Sequence, residues 1–224
     1  VLAQVPGWRP AVWTLGALTL FLGGWRALRQ EDLKLLLAYG TVSQLGFLVL
    51  LLGTGTQAAA LGGLAMVVAH ALFKATLFLV VGVVDHSTGT RQLGQLSGLH
   101  RKLPITAAVA AVAGAAMAGL PPTLGFIAKE AALEGVTNLA LTGDGTGIAP
   151  FPAWALVATV ILGSALTVAY TLRFWWGAFA TKPGMEPTEL SHPPTVGFVA
   201  APVLLGTAVL AGGFLGGPLT AVFD

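Results

Sequence analysis

Val67-Val68-Ala69-His70-Ala71-Leu72-Phe73-Lys74-Ala75-Thr76-Leu77-Phe78 lies inside an apolar run from Gln57 to Asp85. That run exceeds the roughly 17–25 residues a helix needs to cross the hydrocarbon core. It also carries a lysine near its middle. An ionisable group at bilayer depth costs roughly 2.5–3.5 kcal/mol on insertion scales, and such groups usually line ion or proton paths. One stretch thus points to an all-α membrane fold and to a role in moving charge.

The rest of the chain repeats the pattern. Apolar segments occupy about Ala11–Leu28, Asp32–Leu52, Gln57–Val84, Pro104–Leu120, Gly125–Leu141, Pro152–Ala180 and Thr195–Leu215. The expected fold is a polytopic helix bundle of about seven transmembrane segments. Gly125–Leu141 is the weakest span, because it carries Lys129, Glu130 and Glu134. The sequence predicts a discontinuous helix between residues 125 and 150, interrupted near Asn138–Ile148. Broken helices at bilayer depth line cavities or pack on protein, and in transporters they mark ion sites.

Composition agrees. Of 224 residues, 55% are hydrophobic and 9% charged, against about 25% charged in soluble domains; mean hydropathy is +0.83. Thirty glycines are spread through the apolar runs, as close helix packing in lipid would use them. Net charge is only +2, without a basic run, so nucleic acid is not an expected partner. The absence of cysteine excludes disulfides, iron–sulfur ligation and thiol chemistry. No His-x3-His spacing or second intramembrane histidine suggests a metal or haem site, and no cofactor is expected. The chain opens Val1-Leu2-Ala3-Gln4, without Met or a basic signal segment, and is read as part of a longer polypeptide.

Arg26, Arg29 and Lys34 flank one junction, and Arg91, Arg101 and Lys102 lie in the loop Asp85–Leu103. With seven spans these fall on one side, read as cytoplasmic with Val1 outward. In that count Lys182 and Arg9 fall on the other side. Trp175-Trp176 reads as an interfacial belt.

His70 and Lys74 are four residues apart and share one helix face. Burial penalises the charged form of a base, so both are candidates to load and release a proton. The competing reading is a histidine bonding between helices and a lysine snorkelling to the interface. Lys74 lies about 15 Å from the end of its span at 1.5 Å per residue, too far for easy snorkelling. Lys129 and Glu130 are neighbours, point apart on a helix, and are candidates for proton handling; otherwise they cap a half-inserted helix at an aqueous mouth. Lys34 sits two residues inside a helix capped by Asp32, and on the residues alone snorkelling is favoured over a functional role. Asp85 and His86 form a candidate proton entrance, or an ordinary hydrated loop. Thr41, Ser43 and Gln44 read as helix–helix glue.

Three strings carry a family resemblance: Arg29 through Gly46 (Arg-Gln-Glu-Asp-Leu-Lys-Leu-Leu-Leu-Ala-Tyr-Gly-Thr-Val-Ser-Gln-Leu-Gly), His70 through Phe78, and Gly119 through Glu130 (Gly-Leu-Pro-Pro-Thr-Leu-Gly-Phe-Ile-Ala-Lys-Glu). They resemble the antiporter-like membrane proteins shared by multisubunit sodium/proton antiporters and respiratory complex I. Asp85-His86-Ser87-Thr88-Gly89-Thr90-Arg91 is similar to a signature of the large antiporter-like subunit of Mrp-type multisubunit cation/proton antiporters, and Tyr170-Thr171-Leu172-Arg173-Phe174 fits the family too. The resemblance implies a larger bundle with two inverted half-repeats, of which residues 1–224 form the C-terminal half plus a closing helix. It implies that Lys34, His70 and Lys129 belong to a hydrated polar axis, which favours a functional Lys34. It further implies protons and sodium as the exchanged ions, other membrane subunits as partners together with the N-terminal half of the module, and a place in a prokaryotic inner cell membrane. Relatives often carry a histidine where Met66 stands and serines where Gly40 and Ala128 stand. The alternative is a proton-pumping subunit of complex I or a membrane-bound hydrogenase; a third reading is a scaffold in which Lys74 and Lys129 are ion-paired and dry.

Overall fold

The computed structural model describes residues 7–143 and 148–214. Among these, the helices are α1 Trp8–Leu28, α2 Leu33–Leu52, α3 Gln57–Thr88, α4 Leu99–Lys102, α5 Pro104–Ala118, α6 Leu124–Thr142, α7 Pro150–Phe179 and α8 Val196–Phe214. No strand occurs among the described residues. The expected polytopic helix bundle is present. Helices α1, α2, α3, α7 and α8 are each long and apolar enough to cross a membrane.

Local chemistry sets the helix starts. Asp32 caps α2, accepting hydrogen bonds from the backbone of Lys34 at 2.8 Å and Leu35 at 3.0 Å. Thr56 caps α3 and Thr123 caps α6 in the same way. Small residues then let helices approach. A Cβ on Gly46 of α2 would stand 2.4 Å from the backbone nitrogen of Leu20 on α1, so only glycine permits this crossing. Ser43 donates to the Leu20 carbonyl at 2.8 Å, which bears out the reading of Ser43 as glue.

The interruption in the bundle lies elsewhere than the sequence suggested. Helix α6 is continuous from Leu124 to Thr142, and the break falls before it, at Gly119–Thr123. The part of the expected interruption at 144–147 lies outside the described residues. At fifteen residues, about 22 Å, α5 is too short to cross alone. It pairs with α6 along α3, whose 32 residues span about 48 Å. Gly62 and Gly135 bring the first half of α3 against α6, at Ala132 and Ala59 respectively. On α8, Gly206 lies between Val109 of α5 and Thr76 of α3, which places α5 beside the second half of α3. Helices α5 and α6 therefore share one crossing. The break follows from Gly119, held at φ 84°, and from the two prolines after it, which supply no backbone N–H.

This changes the topology count, and with it the expected position of Lys182. Helix α7 now ends on the same side as the Arg29 and Arg91 junctions. Arg173 bonds Glu31 at 2.6 Å, Lys182 donates to the carbonyls of Leu93 and Gly177, and Lys102 pairs with Glu189 at 2.6 Å. The basic loops thus gather at one end of the bundle. The tryptophan pair is also split: Trp176 is exposed, whereas Trp175 donates to the Ala107 carbonyl at 3.0 Å.

At this end Asp32 both caps α2 and accepts from Arg91 at 3.2 Å. Asp32→Ala should therefore cost about 1–2 kcal/mol. The expected observation is a lower melting temperature of the detergent-solubilised protein, and an unchanged one would remove Asp32 from the bracing of this end.

Candidate functional site

Lys74 projects from α3 into the core and is 5% exposed. Its Nζ donates to the Leu37 carbonyl of α2 at 3.1 Å and lies 5.9 Å from the centroid of the Tyr170 ring. It does not snorkel. A Cβ on Gly40 would stand 3.0 Å from that Nζ and 3.1 Å from Tyr170 Cε2. Glycine at position 40 therefore makes room for the ammonium, a role that the loss of a serine hydroxyl there did not foretell. His70, one turn earlier on α3, is half-buried, stands edge-on to Phe73 at 5.5 Å, and has a buried Nε2 without a hydrogen-bond partner among the described residues.

Lys129 is half-buried beside the helix break. Its Nζ donates to the carbonyls of Met117 at 3.2 Å and Ala118 at 3.0 Å, the last of α5. These carbonyls have no partner within their own helix, and the negative end of the helix dipole favours a cation there. The ammonium adjoins a cleft of about 360 Å³ whose lining includes Phe47, Gly119, Glu130 and Ser164. Glu130 is exposed and, although next to Lys129 in sequence, lines the same cleft. No carboxylate pairs with Lys74 or Lys129 among the described residues, which removes the observation a purely ion-paired scaffold requires.

Lys34 is exposed in the first turn of α2. It lies one turn before Leu37, whose carbonyl holds Lys74; the backbone brings the two residues near one another without joining their side chains. Asp85 and His86 are not brought to Lys74. Asp85 pairs with Arg91 at 3.5 Å, and Arg91 reaches Asp32. Leu33 N–H donates to the Arg91 carbonyl at 3.0 Å and Leu93 N–H to the Glu31 carbonyl at 2.8 Å. His86 stands against Phe198 at 5.1 Å and His192 at 5.9 Å. These contacts make the Asp85–Arg91 segment a brace between the end of α3 and the start of α2.

The structure adds Thr167 and Tyr170, to which sequence reasoning gave no role, and joins them to Gln44, which it read as helix–helix glue. Gln44 Nε2 donates to Thr167 Oγ1 at 2.9 Å and to Tyr170 Oη at 3.2 Å, and Tyr170 donates to Thr167 Oγ1 at 3.3 Å. All three are buried. A signal existed: Ser164, Thr167 and Tyr170 recur every three residues on an apolar helix, so they share a face. Their neighbour across the interface, Gln44, is set by packing alone.

The depths form a series. Lys34 opens α2, Lys74 meets α2 at Leu37 and Gly40, Gln44 follows one turn later, and the Lys129 cleft reaches α2 at Phe47. Fold and site define a polytopic α-helical membrane protein with a buried lysine and a half-buried one set in succession along its interior.

A family described as NADH:quinone oxidoreductase/Mrp antiporter, TM, matches residues 1–142, and the chain belongs to it. A Rhizobium meliloti protein named as a probable K(+)/H(+) antiporter subunit is 39% identical over 194 residues, covering 87% of this chain and 19% of the relative. An Na(+)/H(+) antiporter subunit of Alkalihalophilus pseudofirmus is 35% identical over 218 residues, covering 89% of this chain and 26% of the relative. A solved structure of the Mrp complex from Dietzia sp. DQ12-45-1b superimposes with a TM-score of 0.79 at 38% identity, over 94% of this chain and 22% of that one. The chain thus spans about a fifth to a quarter of these longer proteins.

Proposed function

We propose that this chain forms the C-terminal half of the proton-conducting module of an Mrp-type cation/proton antiporter in the cell membrane. It works there as a secondary transporter subunit beside other membrane subunits and the N-terminal half of the module. The observation that carries this reading is the pair of lysines held by backbone carbonyls rather than carboxylates. A base held only by neutral acceptors can give up its proton without leaving a partner charge stranded. Protons enter near Lys34 at the basic end, pass through Lys74 with His70 beside it, and reach Lys129 and the cleft edged by Glu130. Loading one lysine disfavours the charge on the next, which couples the steps.

The exchanged cation is sodium by family likeness, although one similar protein is named for potassium. The family also includes quinone-reducing complexes. The Thr88-Gly89-Thr90-Arg91 loop favours the antiporter.

The test is cation-driven dissipation of a pH gradient in everted vesicles carrying the full complex, with sodium and potassium added separately. Lys129→Ala should reduce exchange on the order of 100-fold or more, while native gels show normal assembly. Wild-type-like exchange in that variant would remove Lys129 from the path. Proton movement that required a quinone and an electron donor, not a cation gradient, would transfer the chain to the redox-driven class.

A further inference from the structure

Between Lys74 and the Lys129 cleft the interface of α2 and α7 is polar in a region otherwise apolar. Tyr170 presents its ring to the Lys74 ammonium at 5.9 Å and its hydroxyl to Thr167 and Gln44. Thr167 lies one turn from Ser164, which lines the cleft beside Lys129. Gln44 is 2% exposed and spends its amide hydrogens on Thr167 and Tyr170, while its Oε1 has no hydrogen-bond partner among the described residues. A buried carbonyl oxygen left without a donor is costly and calls for an explanation. An acceptor of this kind beside two hydroxyls is suited to receive the O–H of a water molecule.

We propose that Tyr170, Thr167 and Gln44 form the bridge by which protons pass between Lys74 and the Lys129 cleft. Tyr170 donates to Thr167, whose own hydroxyl donates at rest to the Gly163 carbonyl at 2.9 Å. In the relay each hydroxyl oxygen accepts an incoming proton on a lone pair and releases the one it carried, Thr167 turning from Gly163 toward the cleft to do so, so no net bond is gained or lost. Gln44 holds the two hydroxyls in line and, through Oε1, a water beside them. The Lys74 ammonium supplies the proton at one end, and at the other the proton passes by Ser164 into the cleft. The charged and titratable groups on the helices that carry this stretch and its two ends are Lys34 and Tyr39 on α2, His70 and Lys74 on α3 with Asp85 and His86 at its far end, Lys129, Glu130 and Glu134 on α6, and Tyr170 and Arg173 on α7. Helix α5 and the described part of α8 carry no ionisable side chain.

This inference rests on the proton-path reading of Lys74 and Lys129. The experiment uses the full complex in everted vesicles, in ordinary and heavy water, with Lys74→Ala run alongside. Thr167→Val keeps shape and removes the hydroxyl; Thr167→Ser keeps the hydroxyl and removes a methyl; Tyr170→Phe removes one oxygen atom. The expected result is that Thr167→Val and Tyr170→Phe slow exchange about 100-fold or more, the lower end of what loss of a proton-transfer group produces. Their solvent isotope effect should rise, because proton transfer becomes limiting, and Thr167→Ser should behave as wild type. Wild-type rates in either Thr167→Val or Tyr170→Phe overturn the bridge. So does an equal loss in Thr167→Ser, which would make the site one of packing. Intact exchange in Lys74→Ala marks a different failure, that of the proton path as a whole.

Discussion

Lys74→Ala should abolish cation-driven exchange, with a loss on the order of 100-fold or more, while the complex still assembles. The assembly half of this expectation follows from burial. Lys74 is 5% exposed and donates to a neutral backbone carbonyl, that of Leu37 at 3.1 Å. Removing a buried cation that no carboxylate pairs leaves no opposite charge behind, so the usual penalty of a broken buried ion pair does not arise. Leu37 retains its other donors, including Thr41 Oγ1 at 2.9 Å. The transport half follows from position. Lys74 sets its ammonium 5.9 Å from the Tyr170 ring, and among the described residues no other lysine or arginine is fully buried. Lys74→Arg sharpens the test. Arginine keeps the charge and the reach but cannot be deprotonated in proteins. A relay predicts that it fails as fully as alanine; a structural cation predicts that it restores exchange. Vesicle assays with the two variants, alongside native gels, separate these outcomes.

Gly125→Ala should prevent the protein from assembling into its complex, an effect as large but of structural origin. A Cβ on Gly125 would stand 1.9 Å from the carbonyl oxygen of Ala116 and 2.6 Å from its carbonyl carbon. Both atoms are backbone and cannot swing aside. Relief requires α5 and α6 to move apart at the break, which would also pull Lys129 from the Met117 and Ala118 carbonyls. Overpacking of a tight core costs about 1–3 kcal/mol and sometimes more; a contact this close with no flexible neighbour belongs at the upper end. The helix-propensity gain of alanine over glycine, about 1 kcal/mol, does not offset it. Gly82→Ala is the control, since a Cβ there meets nothing within 4 Å. The expected observation is loss of the complex on a native gel for Gly125→Ala and normal amounts for Gly82→Ala. Equal amounts would mean that the break is not packed as tightly as described.

Much of this was legible in the chain itself. Hydrophobic run length placed all the long helices, and the Asp32 cap was visible in the residue type before an apolar run. Lysine at the centre of α3 marked the candidate site, because helix rise alone made snorkelling from Lys74 difficult. Other parts were not legible. The sequence placed the helix break where charges thinned the apolar pattern, whereas it occurs where glycine and two prolines end α5. Lys182 fell on the wrong side because α5 and α6 were counted as separate crossings.

Sequence alone, then, determined the membrane class, the helices and the basic residues proposed to carry the function, since these depend on hydrophobicity, length and chemical type, all local properties. Tertiary structure alone decided that Lys74 rests on Leu37 in the space left by Gly40, that Lys129 closes the open end of α5, and that Gln44 meets Tyr170 and Thr167 from another helix. Each of these depends on which helix faces which. In a membrane, where lipid is as apolar as the side chains, that choice is made by small residues and polar contacts between helices rather than by hydrophobicity.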